Sequence, residues 1–251
     1  MKGLKMKKFF KILSCFMLIF TFANAKDFTK DTLIVGTNAT YPPFEFLDDK
    51  SEVTGFDFDL MAELSKRIGF KYEVLNMSFD GLIPALKSGK IDIAAAAMSA
   101  TPARKKAVDF SNAYYFTENL FLKCKDSTDI TKIDDLNGKK IGVQLGTVQE
   151  MAAKELNGVD VSASEDIFVA IMSLKNKKVD AVLVDSSIGY SYLKKNPDLV
   201  EFAKVPDGSE GFSLAFDKNK YPDLIEKINV EIENMKKDGT FDKILEKYDL
   251  K

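Results

Sequence analysis

The sequence predicts an α/β protein of two similar lobes, each a mainly parallel sheet flanked by helices. Three observations lead there. Short β-branched runs alternate with helical patterns from residue 33 onward. The stretch Leu86-Lys87-Ser88-Gly89-Lys90-Ile91-Asp92-Ile93 returns 88 positions later as Leu174-Lys175-Asn176-Lys177-Lys178-Val179-Asp180-Ala181. A composition of 45% hydrophobic residues with 20 Phe supplies apolar surface for one large core or two smaller ones.

The amino terminus opens on Lys2, Lys5, Lys7, Lys8 and Lys11, followed by an apolar run over 12–22 and then Ala23-Asn24-Ala25. Basic, apolar and small-x-small in that order form a secretory signal cleaved after Ala25. The run is too short for a membrane-crossing helix, which needs about 20 residues. Cys15 sits after Ile12-Leu13-Ser14 in the manner of a lipid-attachment cysteine, but the apolar run continues past it, which favours cleavage over anchoring.

Removing residues 1–25 removes five Lys and no acid, leaving 31 basic against 38 acidic residues, a net charge of −7. That charge argues against nucleic acid as a partner. Only Cys124 remains, so no internal disulfide is possible and stability rests on packed cores. The chain has no His, which excludes Ser-His-Asp and Cys-His catalysis and histidine-based zinc sites. No metal and no cofactor is expected.

Residues 33–37 read as a strand, and Pro42-Pro43 as a turn. Over 56–68, Phe56, Leu60, Leu64 and Ile68 recur every four residues, the apolar face of a helix closed by Gly69. A strand follows at 72–75, then a helix over 80–88 led by Asp80, with Leu82, Ile83 and Leu86 inward. Each copy of the repeat is then a helix end, a tight turn and a buried strand. The first strand runs on to Ala97, Met98 and Ser99, the second to Val184, Asp185 and Ser186. Residues 141–144 are a strand leading through Gly146-Thr147 into a helix over 150–156. The tail over 222–248 is amphipathic, with Leu224, Ile228, Ile232 and Met235 on a packing face.

In open parallel sheets, ligands sit outside the carboxyl ends of the strands. There the first repeat carries Ser99 and Arg104, and the second carries Asp185. A cleft with a cation on one wall and an anion on the other suits a zwitterion such as an α-amino acid. Backbone N–H groups at Thr147 to Gln149 are placed to hold a carboxylate, or simply to begin a helix. Other roles stay open: Arg104 in a solvated Arg104-Lys105-Lys106 run, Asp57 and Asp185 as helix caps, Tyr41 and Phe79 as core aromatics.

Several segments resemble the polar amino-acid solute-binding proteins of ABC importers. They are Thr40-Tyr41-Pro42-Pro43-Phe44-Glu45, Gly55-Phe56-Asp57-Phe58-Asp59-Leu60 and Phe79-Asp80-Gly81-Leu82-Ile83-Pro84-Ala85-Leu86. The match continues in order through Ser99 to Arg104, Asp109-Phe110-Ser111, Gly138-Lys139-Lys140-Ile141-Gly142-Val143, Gly146-Thr147, Asp185 and Asp238-Gly239-Thr240-Phe241. The resemblance implies the two-lobed periplasmic-binding-protein fold, with crossover strands at 119–124 and 211–216 as the hinge. Lobe 1 would then comprise 26–116 and 211–251, and lobe 2 would comprise 117–210. It also implies a periplasmic monomer that passes a free amino acid to an ABC importer permease.

By the same resemblance Arg104 clamps the carboxylate, aided by Ser99, Ala97 and the Thr147-Val148 backbone, and Asp185 takes the ammonium. Tyr41 and Phe79 sandwich the side chain. Asn38, Asp57 and Gln144 complete the expected set. Basic-amino-acid binders often carry an acid at the position of Asn38, yet Asp57 remains and Val143-Gln144-Leu145-Gly146-Thr147 resembles the loop of arginine binders. Ala96 and Ala97 stand where hydroxyls are common. Arginine or lysine is the first expected ligand and glutamine or another neutral polar amino acid the next. An enzyme of the dehydratase kind, using Glu45 or Asp57 as acid or base, and a soluble sensory module are the competing expectations.

Expression in a secreting host should yield an exported chain whose intact mass corresponds to residues 26–251. A mass retaining residues 1–25, or one carrying diacylglycerol on Cys15, would contradict the cleavage site.

Overall fold

The computed structural model describes residues 26–251, so the expected signal segment and Cys15 lie outside the described residues. The chain begins with β1 (Thr32–Thr37), three short strands β2 (Thr40–Tyr41), β3 (Glu45–Leu47) and β4 (Val53–Thr54), and helix α1 (Phe56–Ile68). Next come β5 (Lys71–Asn76), a 3₁₀ turn at Phe79–Gly81, α2 (Leu82–Ser88), β6 (Ile93–Ala94), α3 (Pro102–Lys105) and β7 (Val108–Phe110). The middle of the chain holds β8 (Glu118–Cys124), β9 (Lys140–Gln144), α4 (Val148–Glu155), β10 (Asp160–Ser164) and α5 (Ile167–Lys175). It continues with β11 (Ala181–Asp185), α6 (Ser186–Lys195), β12 (Leu199–Pro206) and β13 (Ala215–Asp217), and ends in α7 (Pro222–Asp238) and α8 (Thr240–Lys247).

Two five-stranded sheets carry the fold, ordered β5-β1-β6-β13-β7 and β10-β9-β11-β8-β12. In both, the strand in fourth place runs against the others: β13 is antiparallel to β6 and β7, and β8 to β11 and β12. The remaining pairs are parallel, as the alternating strand and helix pattern requires. The reversed strand β8 spans the crossover expected at 119–124, whereas β13 overlaps the one expected at 211–216 only at its end. Just before β13, Phe212 bridges to both Ser99 and Tyr115, which knits the second crossover to the end of the first repeat.

The sequence repeat is a structural one. After α2 the chain turns at Gly89 (φ 72°), and after α5 it turns at Lys177 (φ 56°), so the same left-handed position recurs with and without a side chain. Lys90 N–H donates to the Ala85 carbonyl (2.9 Å) and Lys178 N–H to that of Ser173 (2.8 Å), the same helix-ending bond. The repeat aspartates then do identical work. Asp92 accepts the Ile34 amide (2.9 Å) and Asp180 the Lys140 amide (2.8 Å), each pinning the start of the neighbouring strand.

Helix α1 forms where the apolar spacing places it, and Gly69 ends it in the left-handed conformation (φ 87°). The segment led by Asp80 departs from expectation. Asp80 lies inside the 3₁₀ turn and makes no capping bond, and α2 begins after Gly81. Pro84 explains the split, because its ring has no N–H and is tolerated only in a first helical turn. Gly146 (φ 78°) explains the position of Asp80: a Cβ there would come within 2.8 Å of the Asp80 Cα, so the backbones of the two sheets' loops touch. Helices α7 and α8 return to α1, where Arg67 Nη1 pairs with Asp238 (2.8 Å). Leu224, Ile228, Ile232 and Met235 on α7 are fully buried, and no helix among the described residues is long and apolar enough to cross a membrane.

Replacing Ile232, fully buried on α7, with Ala should lower stability by about 2–5 kcal/mol in urea unfolding. Val230→Ala, on the opposite face at 53% exposure, should change it by less than about 0.5 kcal/mol.

Candidate functional site

Both sheets turn their carboxyl strand ends toward one small cavity of about 10 Å³, room for about one water. Its walls carry Asn38, Tyr41, Phe79, Ala97, Ser99, Arg104, Gln144, Thr147, Val148 and Asp185, ten of the eleven residues expected from sequence. The cavity also takes Glu45, Ala96 and Gln149.

Arg104 is positioned by α3, a single turn begun by Pro102 and capped by Thr101, whose hydroxyl accepts the Arg104 amide (3.2 Å). The cap turns Arg104 inward while Lys106 stays exposed, so the basic run is not one solvated face. The guanidinium donates to the Ser99 carbonyl (2.9 Å) and, across to the other sheet, to the Gly146 carbonyl (2.9 Å). It lies over the Phe79 ring at 5.3 Å, so this aromatic, which also packs against the core around Leu82 and Leu86, stacks on the cation as well. Burial lowers its pKa to about 10, which leaves it charged at neutral pH.

Asp185 ends β11, whose five residues are all buried. It stands at the N-cap of α6 but makes no capping bond. Its Oδ2 instead accepts the Tyr41 hydroxyl at 2.5 Å, a contact from one sheet's loops to the other, and its Oδ1 accepts Gln149 Nε2 at 3.0 Å. Burial, with the charge of Asp207 nearby, pushes its carboxyl up to about 7 against the Tyr41 and Gln149 bonds and the Arg104 charge. Tyr41 belongs to the hydrophobic core and also presents its hydroxyl to Asp185 in the cavity wall.

Thr147 caps α4: its hydroxyl accepts the Glu150 amide (3.2 Å) and donates to the Gln144 carbonyl (2.7 Å). What α4 offers the cavity is therefore the backbone of Val148 and Gln149, whose amides have no partner one turn back. Gln144 Nε2 donates to Asn38 Oδ1 (2.8 Å), joining the two sheets a second time. The Asn38 amide in turn donates to the Met77 carbonyl (3.1 Å).

Asp57 is the expected residue that the fold keeps out of the cavity. It is neither helix cap nor wall: its Oδ2 accepts the Ala97 amide (2.9 Å) and the Tyr114 hydroxyl (2.9 Å) from beneath. The bond holds Ala97 at φ 43°, a conformation few non-glycine residues adopt. Burial raises the Asp57 carboxyl to about 7. Glu45, in the cavity, is held well above the usual carboxylate range by burial and by the charges of Asp57 and Asp185, and its Oε2 has no partner. Gln149 escaped sequence reasoning because nothing local distinguishes it from any polar residue in a first helical turn. Among the described residues no cluster of acidic or sulfur groups has the makings of a metal site.

Residues 33–251 match the family model of bacterial extracellular solute-binding proteins, family 3. The chain belongs to that family. A probable histidine-binding protein of Campylobacter jejuni is 49% identical over 87% of this chain and 85% of its own. An arginine-binding extracellular protein of Bacillus subtilis is 37% identical over 87% of this chain and 86% of its own. Among solved structures, an ancestral arginine-binding protein bound to arginine superposes with a TM-score of 0.82 at 42% identity, covering 88% of this chain and 99% of that one. An ancestral amino-acid-binding protein described as a precursor of cyclohexadienyl dehydratase gives 0.78 at 39% identity, over 86% and 94% of the two chains. The two-sheet plan of this family-3 protein is thus that of the solved relatives.

The Asp57 carboxyl is raised from 3.8 to about 7 in the folded chain, so the unfolded chain gives up its proton first and stability falls as pH rises between those values. Asp57→Asn should remove that share of the decline, flattening the melting temperature between about pH 4 and pH 7. An unchanged slope would show that Asp57 is ionised in the fold.

Proposed function

We propose that this protein captures a free amino acid between its two lobes and delivers it to the permease of an ABC importer. One observation carries the reading: Arg104 and Asp185, both buried, flank one cavity from opposite sheets, and each is satisfied there by neutral groups of the protein. An α-carboxylate is a stronger acceptor for the guanidinium than two carbonyls, and an ammonium is a stronger donor to Asp185 than a phenol. The amides of Val148 and Gln149 add donors on the carboxylate side.

The lobes divide as 26–116 with 211–251 and 117–210, hinged on the two crossover strands, and the monomer works in the periplasm after loss of residues 1–25. Capture follows lobe closure without covalent chemistry, and the closed form is what the permease recognises. The side chain lies toward Phe79, Asn38, Gln144 and the unpartnered Glu45 oxygen, a surface for a cationic or amide-bearing side chain. Relatives named for arginine and histidine, and an ancestral relative solved with glutamine, support that class.

A second reading, as an enzyme, has one observation in its favour: Glu45 faces the cavity with its carboxyl held well above the ordinary range by burial and by the charges of Asp57 and Asp185. Turnover of any amino acid or cyclohexadienyl acid by the purified protein would replace the binding reading.

A thermal-shift screen of residues 26–251 against the twenty amino acids should single out arginine, lysine, histidine or glutamine. At a thousandfold excess over Kd, stabilisation of about 4 kcal/mol raises the melting temperature by about 10 °C. Arg104→Ala and Asp185→Asn should each weaken binding at least about a hundredfold while the ligand-free proteins stay folded. Because the ammonium requires an ionised Asp185, affinity should fall up to tenfold for each pH unit below about 7, read by calorimetry.

A further inference from the structure

Asp185 Oδ1 and Asn119 Oδ1 both accept from one group, the side-chain amide of Gln149, at 3.0 and 3.1 Å. All three residues are at least nine-tenths buried. Strand pairing brings the two acceptors together: Asn119 on β8 and Asp185 on β11 are direct register partners. Gln149, in the first turn of α4, reaches them from outside the sheet. An amide nitrogen carries two protons, and here both are committed, so the orientation of Gln149 is fixed. A flipped Gln149 would set its own oxygen against two others.

We propose that Gln149, backed by Asn119, is a positioning residue for Asp185: it grips one carboxylate oxygen so that the other faces the cleft, where Tyr41 and then the ammonium of the amino acid meet it. The inference rests on Asp185 taking the ammonium. A carboxylate held at one oxygen cannot swing away when the lobes part and Tyr41 leaves, so the site stays preorganised. Because β8 is a crossover strand, the grip also ties the ammonium site to the hinge.

The charged and titratable groups facing Asp185 are Tyr41, Glu45, Arg104 and Asp207, from four different segments. Two neutral groups lower the carboxyl pKa through direct bonds, the Tyr41 hydroxyl first and the Gln149 amide after it. Mere glue between α4 and the sheet would leave the Asp185 titration unmoved, and that separates the two roles.

The test uses residues 26–251, without ligand for the unfolding series and with arginine for the binding series. Unfolding free energy is followed from about pH 4 to pH 9 for the wild type, Gln149→Leu, and each in an Asp185→Asn background; the difference within each pair reports the Asp185 titration. Gln149→Leu should move that titration upward by about one pH unit, weaken arginine binding by about tenfold at pH 7, and recover much of the loss by pH 9. Asn119→Ala, a milder change, should shift both in the same direction by less. An unmoved titration, or a pH-dependent effect of Gln149→Leu that survives in the Asp185→Asn background, overturns the proposal. The expected Gln149→Leu shift, found alongside a wild-type protein that binds no amino acid, overturns the ammonium reading itself, which keeps the two failures distinct.

Discussion

Two opposite charges are buried at the meeting of two sheets and are kept apart there by neutral partners, and the site follows from that constraint. A buried ion costs several kcal/mol unless it is well bonded, so Arg104 is spent on two carbonyl oxygens and Asp185 on a phenol and an amide. These bonds are adequate but weaker than charged ones. The protein thereby holds a polarised gap, and the proposed function rests on a zwitterion offering each end a charged partner in place of a neutral one.

The same bonds cross between the sheets. Tyr41 to Asp185, Arg104 to Gly146 and Gln144 to Asn38 close the lobes over a cavity with room for about one water. An amino acid fits only when these contacts open and are then remade around it. The close approach of Gly146 to Asp80 sets how near the loops can come, because any side chain at Gly146 would hold them apart. In the proposed function, ligand capture and lobe closure are then one exchange of hydrogen bonds rather than two events.

The support of the site is asymmetric. On the first sheet, Asp57 anchors the backbone at Ala97 in a strained conformation and so fixes the rim leading to Ser99 and Arg104. On the second, Gln149 holds Asp185 from the first turn of α4 and is itself held by Asn119 on β8. The repeat supplies the common frame: left-handed turns at Gly89 and Lys177 and strand-pinning aspartates at Asp92 and Asp180 give each sheet the same geometry just before its site loop.

The sequence by itself determined the α/β class, the repeat, the helix boundaries at Phe56 and Gly69, and Ser99, Arg104, Thr147, Val148 and Asp185 in the cavity wall, whereas Asn38, Tyr41, Phe79, Ala97 and Gln144 were implied by the resemblance to the solute-binding family. The former were legible because they rest on local signals: apolar periodicity, a left-handed turn, a charge placed just past a buried strand. Asp57 and Gln149 were not legible. The carboxylate of Asp57 lies under the cavity because Ala97, 40 residues away, presents its amide there, and Gln149 matters because β8 and β11 pair in one particular register. Such contacts are made between segments remote in the chain, and only packing the two sheets together decides which polar groups they leave facing the gap and which they consume in holding it.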